Sequence, residues 1–200
     1  QSWPHDRIRL VLADTSQDRR FHRMLRKWVA RCDYADVRLL RFTAGRKGLA
    51  DLPRKESAAV RREVDLTMCR IWSRLTRGLE TPWTLTLEDD VLPPRDVLPR
   101  LLEHFTPKVD AVCAPYRSRL QDYWFVFRGT TPVRDAGEGA QRVSGCGFGC
   151  TLIRSDLLSD HVFDSPDGTW YDPWFFHSRR LHVIADWSCR AQHGEGRSAR

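Results

Sequence analysis

LTLEDDVLPP, residues 85–94, is an apolar segment that ends in three adjacent carboxylates and is followed by two prolines. Neighbouring like charges repel each other and are costly to remove from water, so a chain tolerates them most easily around a bound cation. Pro93 and Pro94 lack the backbone N–H that strand pairing needs. We therefore expect Glu88, Asp89 and Asp90 at the carboxyl end of a buried strand, where open α/β sheets bind ligands.

Apolar periodicity on both sides of this stretch predicts alternating strands and helices. Strands are expected at residues 7–13, 36–42, 83–87, 109–114, 123–127 and 181–185, and residues 151–153 follow a glycine-rich turn. Helices are expected near residues 21–29, 56–77 and 97–105, with Asp14 to Ser16 offering N-caps for the first and Gly78 ending the second. The polar segment 129–142 is expected to be a loop. The pattern is typical of an α/β fold, with a mainly parallel sheet flanked by helices in a single domain.

Composition limits the class of protein. A chain of 200 residues with 41% hydrophobic residues and eight tryptophans can bury a core. Its apolar runs fall well short of the roughly 20 residues that a membrane-spanning helix needs, so no transmembrane segment is expected. The chain starts at Gln1 rather than methionine, as a fragment or a processed chain would.

Six cysteines and an uneven charge distribution give two further expectations. An even number of cysteines permits disulfides, but a chain of this size does not need them, and reduced thiols in a cytoplasm are the default. The net charge is +7, with 19 Lys and Arg against 10 Asp and Glu (+9) in residues 1–80 and 14 against 16 (−2) in residues 81–200. A basic half attracts phosphates, although arginines on solvated helix faces explain much of the excess.

The order of the motifs resembles the GT-A class of nucleotide-sugar-dependent glycosyltransferases, a Rossmann-like fold, and particularly its compact family-2-like members. The resemblance rests on the strand that ends at Asp14 and Thr15, the helix from Glu56, the Glu88-Asp89-Asp90 cluster, the glycine-rich segment 145–154, the aromatic segment 170–175 and His193. It implies a nucleotide-sugar-binding half over about residues 1–95, an acceptor and catalytic half over about 96–193, and a polar tail at 194–200.

The acidic cluster is similar to the Asp-x-Asp motif of that family, with glutamate in the first position. The resemblance implies a Mn²⁺ or Mg²⁺ ion held by Asp90 and by His193, with Glu88 and Asp89 binding the metal waters or the donor. Asp14, Thr15 and Arg62 are the other implied donor contacts, and a UDP-sugar is the expected donor. The alternatives are an acidic turn, a surface histidine in a polar tail, a cap at Asp14 and a solvated charge at Arg62.

Asp172 is the implied general base of an inverting transfer. Aromatic neighbours would form a partly apolar pocket that raises the pKa of a carboxylate and makes it a better base. Trp170, Tyr171 and Trp174 are the expected acceptor pocket. The alternative is that Asp172 caps a helix that continues with a proline, and Asp167 is then the fallback base.

The sequence is compatible with several classes of acceptor. Arginines at 117, 119, 128, 134 and 142 permit a polyanionic acceptor such as a hydroxymethylated base in phage-type DNA, which the enzyme would have to reach or flip in the host cytoplasm. A carbohydrate or a lipid-linked glycan is equally compatible with an aromatic pocket. Two other classes remain: a metal-dependent nuclease or phosphoesterase, and a non-catalytic nucleic-acid-binding module.

Overall fold

The computed structural model is an α/β fold and describes residues 3–42, 58–119, 121–166 and 170–194. These residues form five α-helices: α1 (Arg19–Val29), α2 (Ala58–Leu75), α3 (Val97–Leu102), α4 (Ser155–Leu158) and α5 (Tyr171–Ser178). They also form twelve strands: β1 (Arg9–Asp14), β2 (Asp36–Arg41), β3 (Trp83–Leu87), β4 (Val91–Leu92), β5 (Ala111–Cys113), β6 (Trp124–Arg128), β7 (Thr131–Val133), β8 (Ala140–Val143), β9 (Gly145–Cys146), β10 (Cys150–Arg154), β11 (Val183–Asp186) and β12 (Gln192–His193). None of the described helices is long and apolar enough to cross a membrane.

The described strands form four small sheets, and most of their pairings are antiparallel. The largest sheet has the order β3-β10-β5-β11-β8, and β1-β2, β12-β4 and β7-β6-β9 form the others. Parallel pairing occurs between β1 and β2 and between β5 and β11. The expectation of one mainly parallel sheet is therefore wrong.

Strand β10 is the physical reason for this difference. It lies between β3 and β5 and pairs antiparallel with both. Apolar periodicity identifies such a strand but carries no information about its direction or its partners. Because β3 and β5 both oppose β10, and β11 is parallel to β5, these three strands still run the same way. Their carboxyl ends meet at one edge of the sheet.

The core lies on both faces of this five-stranded sheet. Side chains alternate between the faces along each strand, so Ala111 and Cys113 join one apolar cluster while Val112 joins the other. In the same way Ile153 and Leu152 point to opposite faces. Helices α2 and α5 cover the first face, and α3 covers the second.

Two local expectations are also corrected. Segment 129–142 contains β7 and most of β8 rather than a loop; β8 pairs with β11 at the edge of the sheet and alternates between exposed and half-buried residues, which hides its strand pattern. The N-cap of α1 is Asp18, whose carboxylate accepts a hydrogen bond from the backbone N–H of Arg20. The expected helix start at Glu56 and tail residues 195–200 lie outside the described residues.

Candidate functional site

The acidic cluster follows β3 directly, as expected, and forms a tight turn into β4. The Glu88 backbone N–H donates to the carbonyl oxygen of Gly149 (3.1 Å), which extends the pairing of β3 with β10 by one residue. The Val91 N–H then donates to the Glu88 carbonyl oxygen (3.1 Å) and closes the turn. The three carboxylates therefore stand at the edge where β3, β5 and β11 end.

Strand β12 brings His193 next to Asp90. It pairs antiparallel with β4, opposing His193 to Val91, and the Gly194 N–H donates to the Asp90 carbonyl oxygen (2.6 Å). The distance from His193 Nε2 to Asp90 Oδ2 is 3.4 Å. His193 Nδ1 donates to the carbonyl oxygen of Arg117 (2.8 Å), which fixes the ring with Nε2 facing the carboxylate. A histidine held in this way is oriented as metal-ligating histidines are.

Arg119 supplies the positive charge beside Asp90 in this structure. Its Nη2 lies 2.5 Å from Asp90 Oδ2, and both side chains are about one-third exposed. Groups of three or more His, Cys, Asp and Glu placed to hold a metal ion do not occur within residues 3–42, 58–119, 121–166 and 170–194. The protein therefore offers two ligands at this point, Asp90 and His193.

Glu88 is the carboxylate of the cluster whose pKa is raised towards neutral pH. Burial raises the pKa of Glu88 to about 7, and the negative charges of Asp90 and Asp89 add to this effect. The Arg119 guanidinium and a hydrogen bond from Tyr171 act in the opposite direction. A carboxyl group with such a pKa changes its charge easily under physiological conditions.

Asp172 lies in the first turn of α5 and is buried, with 6% of its surface exposed. The N-cap of this helix is Trp170, so the alternative in which Asp172 itself caps the helix is wrong. An aspartate before a proline predicts that the helix begins at Pro173. Helix α5 instead begins two residues earlier, at Tyr171. The fallback residue Asp167 lies outside the described residues.

The environment of Asp172 favours its neutral form. Burial raises its pKa well above the usual range of an aspartate, and the charges of Glu88 and Asp65 raise it further. Hydrogen bonds from the backbone N–H groups of Asp172 and Phe148 oppose this shift. The effect of the Glu88 charge on Asp172 shows that two carboxylates from distant parts of the sequence lie at one site. In such a pair, ionisation of one group makes ionisation of the other more costly.

Tyr116 is a buried residue of this candidate site that the sequence pattern did not indicate. It follows β5, is 2% exposed, and its hydroxyl accepts a hydrogen bond from the Gly149 N–H (3.1 Å). Burial raises its pKa well above the usual range, and the charges of Glu88 and Asp172 contribute. A tyrosine shortly after an apolar strand at the ligand edge of the sheet was the signal available in the sequence.

The glycine-rich segment makes room for this tyrosine. A Cβ atom added to Gly147 would lie 2.2 Å from the Tyr116 hydroxyl oxygen, and one added to Gly149 would lie 2.5 Å from the ring carbon Cζ. The small residues at positions 147 and 149 therefore admit the side chain of Tyr116.

This packing predicts different consequences for two similar substitutions. Gly147→Ala and Gly149→Ala should each destabilise the protein by about 1–3 kcal/mol, because they overpack a buried site. Tyr116→Phe should recover part of the loss in Gly147→Ala, where the hydroxyl is the closest atom, but little in Gly149→Ala, where the ring itself is in the way. Urea unfolding of the two single and two double variants measures both effects. Equal recovery in the two backgrounds would contradict this packing.

The three expected acceptor residues do not form one pocket. Trp170 packs near the ring of Tyr123 at 5.9 Å and near that of Phe125 at 6.2 Å. Tyr171 is buried and reaches towards Glu88. The Trp174 indole N–H donates instead to Asp164 (3.0 Å). Trp170 is therefore the expected acceptor residue that belongs to an aromatic surface with Tyr123 and Phe125.

The expected donor contacts in the first half have other partners in this structure. Asp14 is buried; its carboxylate lies 2.5 Å from His22 Nδ1 and accepts a hydrogen bond from the Ser16 N–H (2.9 Å). Thr15 is half-buried just after β1. Arg62 is exposed, and its Nη1 donates to the carbonyl oxygen of Ser165 (3.3 Å). Their roles in donor binding stay predictions.

Comparisons with known proteins identify the fold but not the activity. No protein-family model and no curated protein sequence matches this chain. Among solved structures, the chain is similar to the crystal structure of A197 from STIV, with a TM-score of 0.50 and 16% sequence identity. The similarity covers 96% of this chain and 97% of that chain. At this identity it concerns the fold alone, and activity has to be argued from the site.

Proposed function

We propose that this chain is a metal-dependent glycosyltransferase of the GT-A type, which moves a sugar from a nucleotide-diphosphate donor to an acceptor hydroxyl with inversion. The observation that carries the proposal is the approach of His193 Nε2 to Asp90 Oδ2 at the edge where three strands end. It joins a motif in the middle of the sequence to a residue near its end. A second carboxylate, Asp172, lies close enough to Glu88 for the Glu88 charge to raise its pKa.

The residues present fit a divalent ion of the Mg²⁺ or Mn²⁺ kind. Such ions are commonly bound by one or two protein ligands, with the remaining positions filled by substrate phosphates and water. Asp90 offers a hard oxygen ligand, and His193 offers a nitrogen whose orientation is already fixed by Arg117. When bound, the ion would neutralise the negative charge of the departing nucleoside diphosphate. Arg119, which pairs with Asp90, offers a further positive charge for a phosphate.

Asp172 is the proton acceptor in this proposal. The acceptor oxygen forms a bond to the anomeric carbon of the sugar while the bond from that carbon to the diphosphate oxygen breaks, and its electron pair leaves with the diphosphate. The hydroxyl proton moves to a carboxylate oxygen of Asp172. Burial raises the free energy of the ionised form of Asp172, so that its protonation is favourable. The ionised carboxylate is therefore a strong base.

The donor and the acceptor are inferred from the chemical types of the residues at the site. We propose a UDP-sugar as donor, with Glu88 and Asp89 near the diphosphate or the ribose. The aromatic surface of Trp170 and Phe125 suits a flat acceptor, and a hydroxymethylated base in DNA presents both a π-face and a hydroxyl. A carbohydrate stacked on the same rings is the other candidate. The free thiols of all six cysteines suit the reducing environment of a cytoplasm.

The proposal is tested by diphosphate release from a panel of nucleotide sugars in the presence of Mn²⁺. The panel should include UDP-glucose, UDP-galactose and UDP-N-acetylglucosamine, each with and without hydroxymethylated DNA. We expect slow release from at least one donor that stops on addition of EDTA and accelerates when the correct acceptor is present. Cleavage of the DNA in the absence of any nucleotide sugar would identify a nuclease instead. Absence of release from every donor would contradict the proposal.

A further inference from the structure

A basic groove lies at the end of α5 that is remote from Asp172. It has a volume of about 630 Å³ and is open to solvent on one side. Its polar lining comes from the end of β6, from β8 and the residue after it, and from the last turn of α5 and the turn that follows it: Arg128, Arg142, Ser144, His177 and Arg180. Eight residues separate Asp172 from Arg180, or roughly 12 Å along a helix. The groove is therefore a different place from the acidic site.

The positive charge of the groove is not balanced by the protein. Arg128, Arg142 and Arg180 make no ion pair within the part of the chain that the structure describes, and the lining contains neither Asp nor Glu. Several other arginines of the molecule are paired, as Arg9 is with Glu80 and Arg119 with Asp90. Three guanidinium groups around one cavity repel each other, and this repulsion is relieved when an anion enters.

The end of helix α5 accounts for only part of this charge. A helix carboxyl terminus carries about half a negative charge and is stabilised by a nearby cation, which explains one arginine near α5. Arg128 and Arg142 are contributed by strands β6 and β8. Three full positive charges are far more than is needed to balance the half negative charge of the helix terminus.

Arg180 occupies a backbone position that favours glycine. Its φ is 53°, and it follows α5 where the Leu181 N–H donates to the Phe176 carbonyl oxygen (3.1 Å) and the Arg180 N–H to the His177 carbonyl oxygen (3.1 Å). These two bonds form a Schellman motif, whose left-handed residue is most often glycine. An arginine there accepts backbone strain while placing a guanidinium in the groove, which is understandable if the side chain binds a ligand.

We infer that this groove binds a ligand that carries at least two phosphate groups. Guanidinium groups match phosphate oxygens through paired N–H donors, and three of them spread around the groove suit more than one phosphate. Ser144 accepts a hydrogen bond from the Gly129 N–H, so its own O–H is still available as a donor. Such phosphates occur in free polyphosphates and in a nucleic-acid strand. This inference does not depend on glycosyl transfer.

Binding of tripolyphosphate and of a fluorescent single-stranded 12-mer DNA tests the inference. The first is measured by calorimetry and the second by anisotropy over a series of salt concentrations. We expect the Arg128→Ala/Arg142→Ala variant to bind at least roughly tenfold more weakly, and its salt slope for single-stranded DNA to fall by about 1.4. Tighter binding of DNA than of tripolyphosphate would identify a strand as the ligand, and the reverse a free polyphosphate. No binding of either probe by the unaltered protein would overturn the inference.

Removal of positive charge from a different surface is the control. Arg19, Arg20 and Arg26 are exposed on α1, so their joint replacement by alanine lowers the net charge by one unit more than the groove variant does. This control should weaken binding less than the groove variant. An equal or greater loss in the control would show that the ligands respond to overall charge, and the inference would fail.

Arg180→Gly separates a binding role from a structural one. Because glycine suits the left-handed position, the variant should keep the Tm of the unaltered protein or exceed it by about 2 °C. It should nevertheless bind both probes several-fold more weakly. Unchanged affinity in this folded variant would contradict the role of Arg180 in the groove.

Discussion

Asp172→Asn is expected to slow sugar transfer by roughly 10²–10⁴-fold, the usual contribution of a general base. Asparagine keeps the shape of the side chain and an oxygen that can accept the backbone N–H bonds of Asp172 and Phe148, but it cannot take a proton from the acceptor. Donor binding should change much less than transfer. Steady-state rates with the active donor, together with donor affinity measured by calorimetry, distinguish these two effects.

The same substitution should make the protein more stable at neutral pH. Because the folded pKa of Asp172 is raised, the folded state holds the proton more tightly than the unfolded state does. Stability therefore falls as the pH rises from about 4 through the folded pKa, and the full cost is present above it. Asparagine removes this cost, so the variant should have a higher Tm than the unaltered protein at neutral pH.

Thermal unfolding between pH 4 and pH 8 measures this gain. The rise in Tm should be largest at the high end of the range and should shrink towards pH 4, close to the pKa of an unfolded aspartate, below which the group is neutral in both states. Asp135→Asn alters an exposed carboxylate and is the control, which should show little change at any pH. A gain that is the same at every pH, or a loss of stability, would contradict the account of Asp172.

Asp90→Ala is expected to reduce metal-dependent diphosphate release by at least roughly 10³-fold. Electrostatic stabilisation of a leaving group is commonly the largest single contribution to catalysis, and loss of even one such donor costs about 10²–10³-fold. Asp90 is the carboxylate that faces His193, whereas Asp89 beside it is exposed. Asp89→Ala should therefore cost clearly less. Diphosphate release is followed with both variants over a range of Mn²⁺ concentrations, and similar losses in the two would contradict the assignment of Asp90.

Part of this site was predictable because it depends on local patterns. The apolar run before Glu88 and the prolines after Asp90 define a strand and its end, and β3 has the predicted bounds, Trp83–Leu87. The aromatic segment around Asp172 likewise indicated a buried carboxylate, which the structure confirms. In both places the sequence signal comes from residues that are neighbours in the chain.

The remaining features depend on contacts between distant residues. Strand β12 is two residues long, too short for a periodic pattern, yet its pairing with β4 sets His193 beside Asp90. The fit of Tyr116 between Gly147 and Gly149 requires β5 and β10 to be neighbours. The direction of the strands could not be predicted either, because side-chain alternation is identical in parallel and antiparallel sheets.

Binding of Mn²⁺ in the presence of UDP, measured by electron paramagnetic resonance of the free ion, tests the Asp90–His193 site most directly. The account predicts that the unaltered protein removes Mn²⁺ from solution with UDP present, and that Asp90→Asn and His193→Ala each weaken this binding by at least about tenfold. Both variants should remain folded, with a Tm close to that of the unaltered protein. Equal Mn²⁺ binding by the unaltered protein and by folded Asp90→Asn would contradict the account.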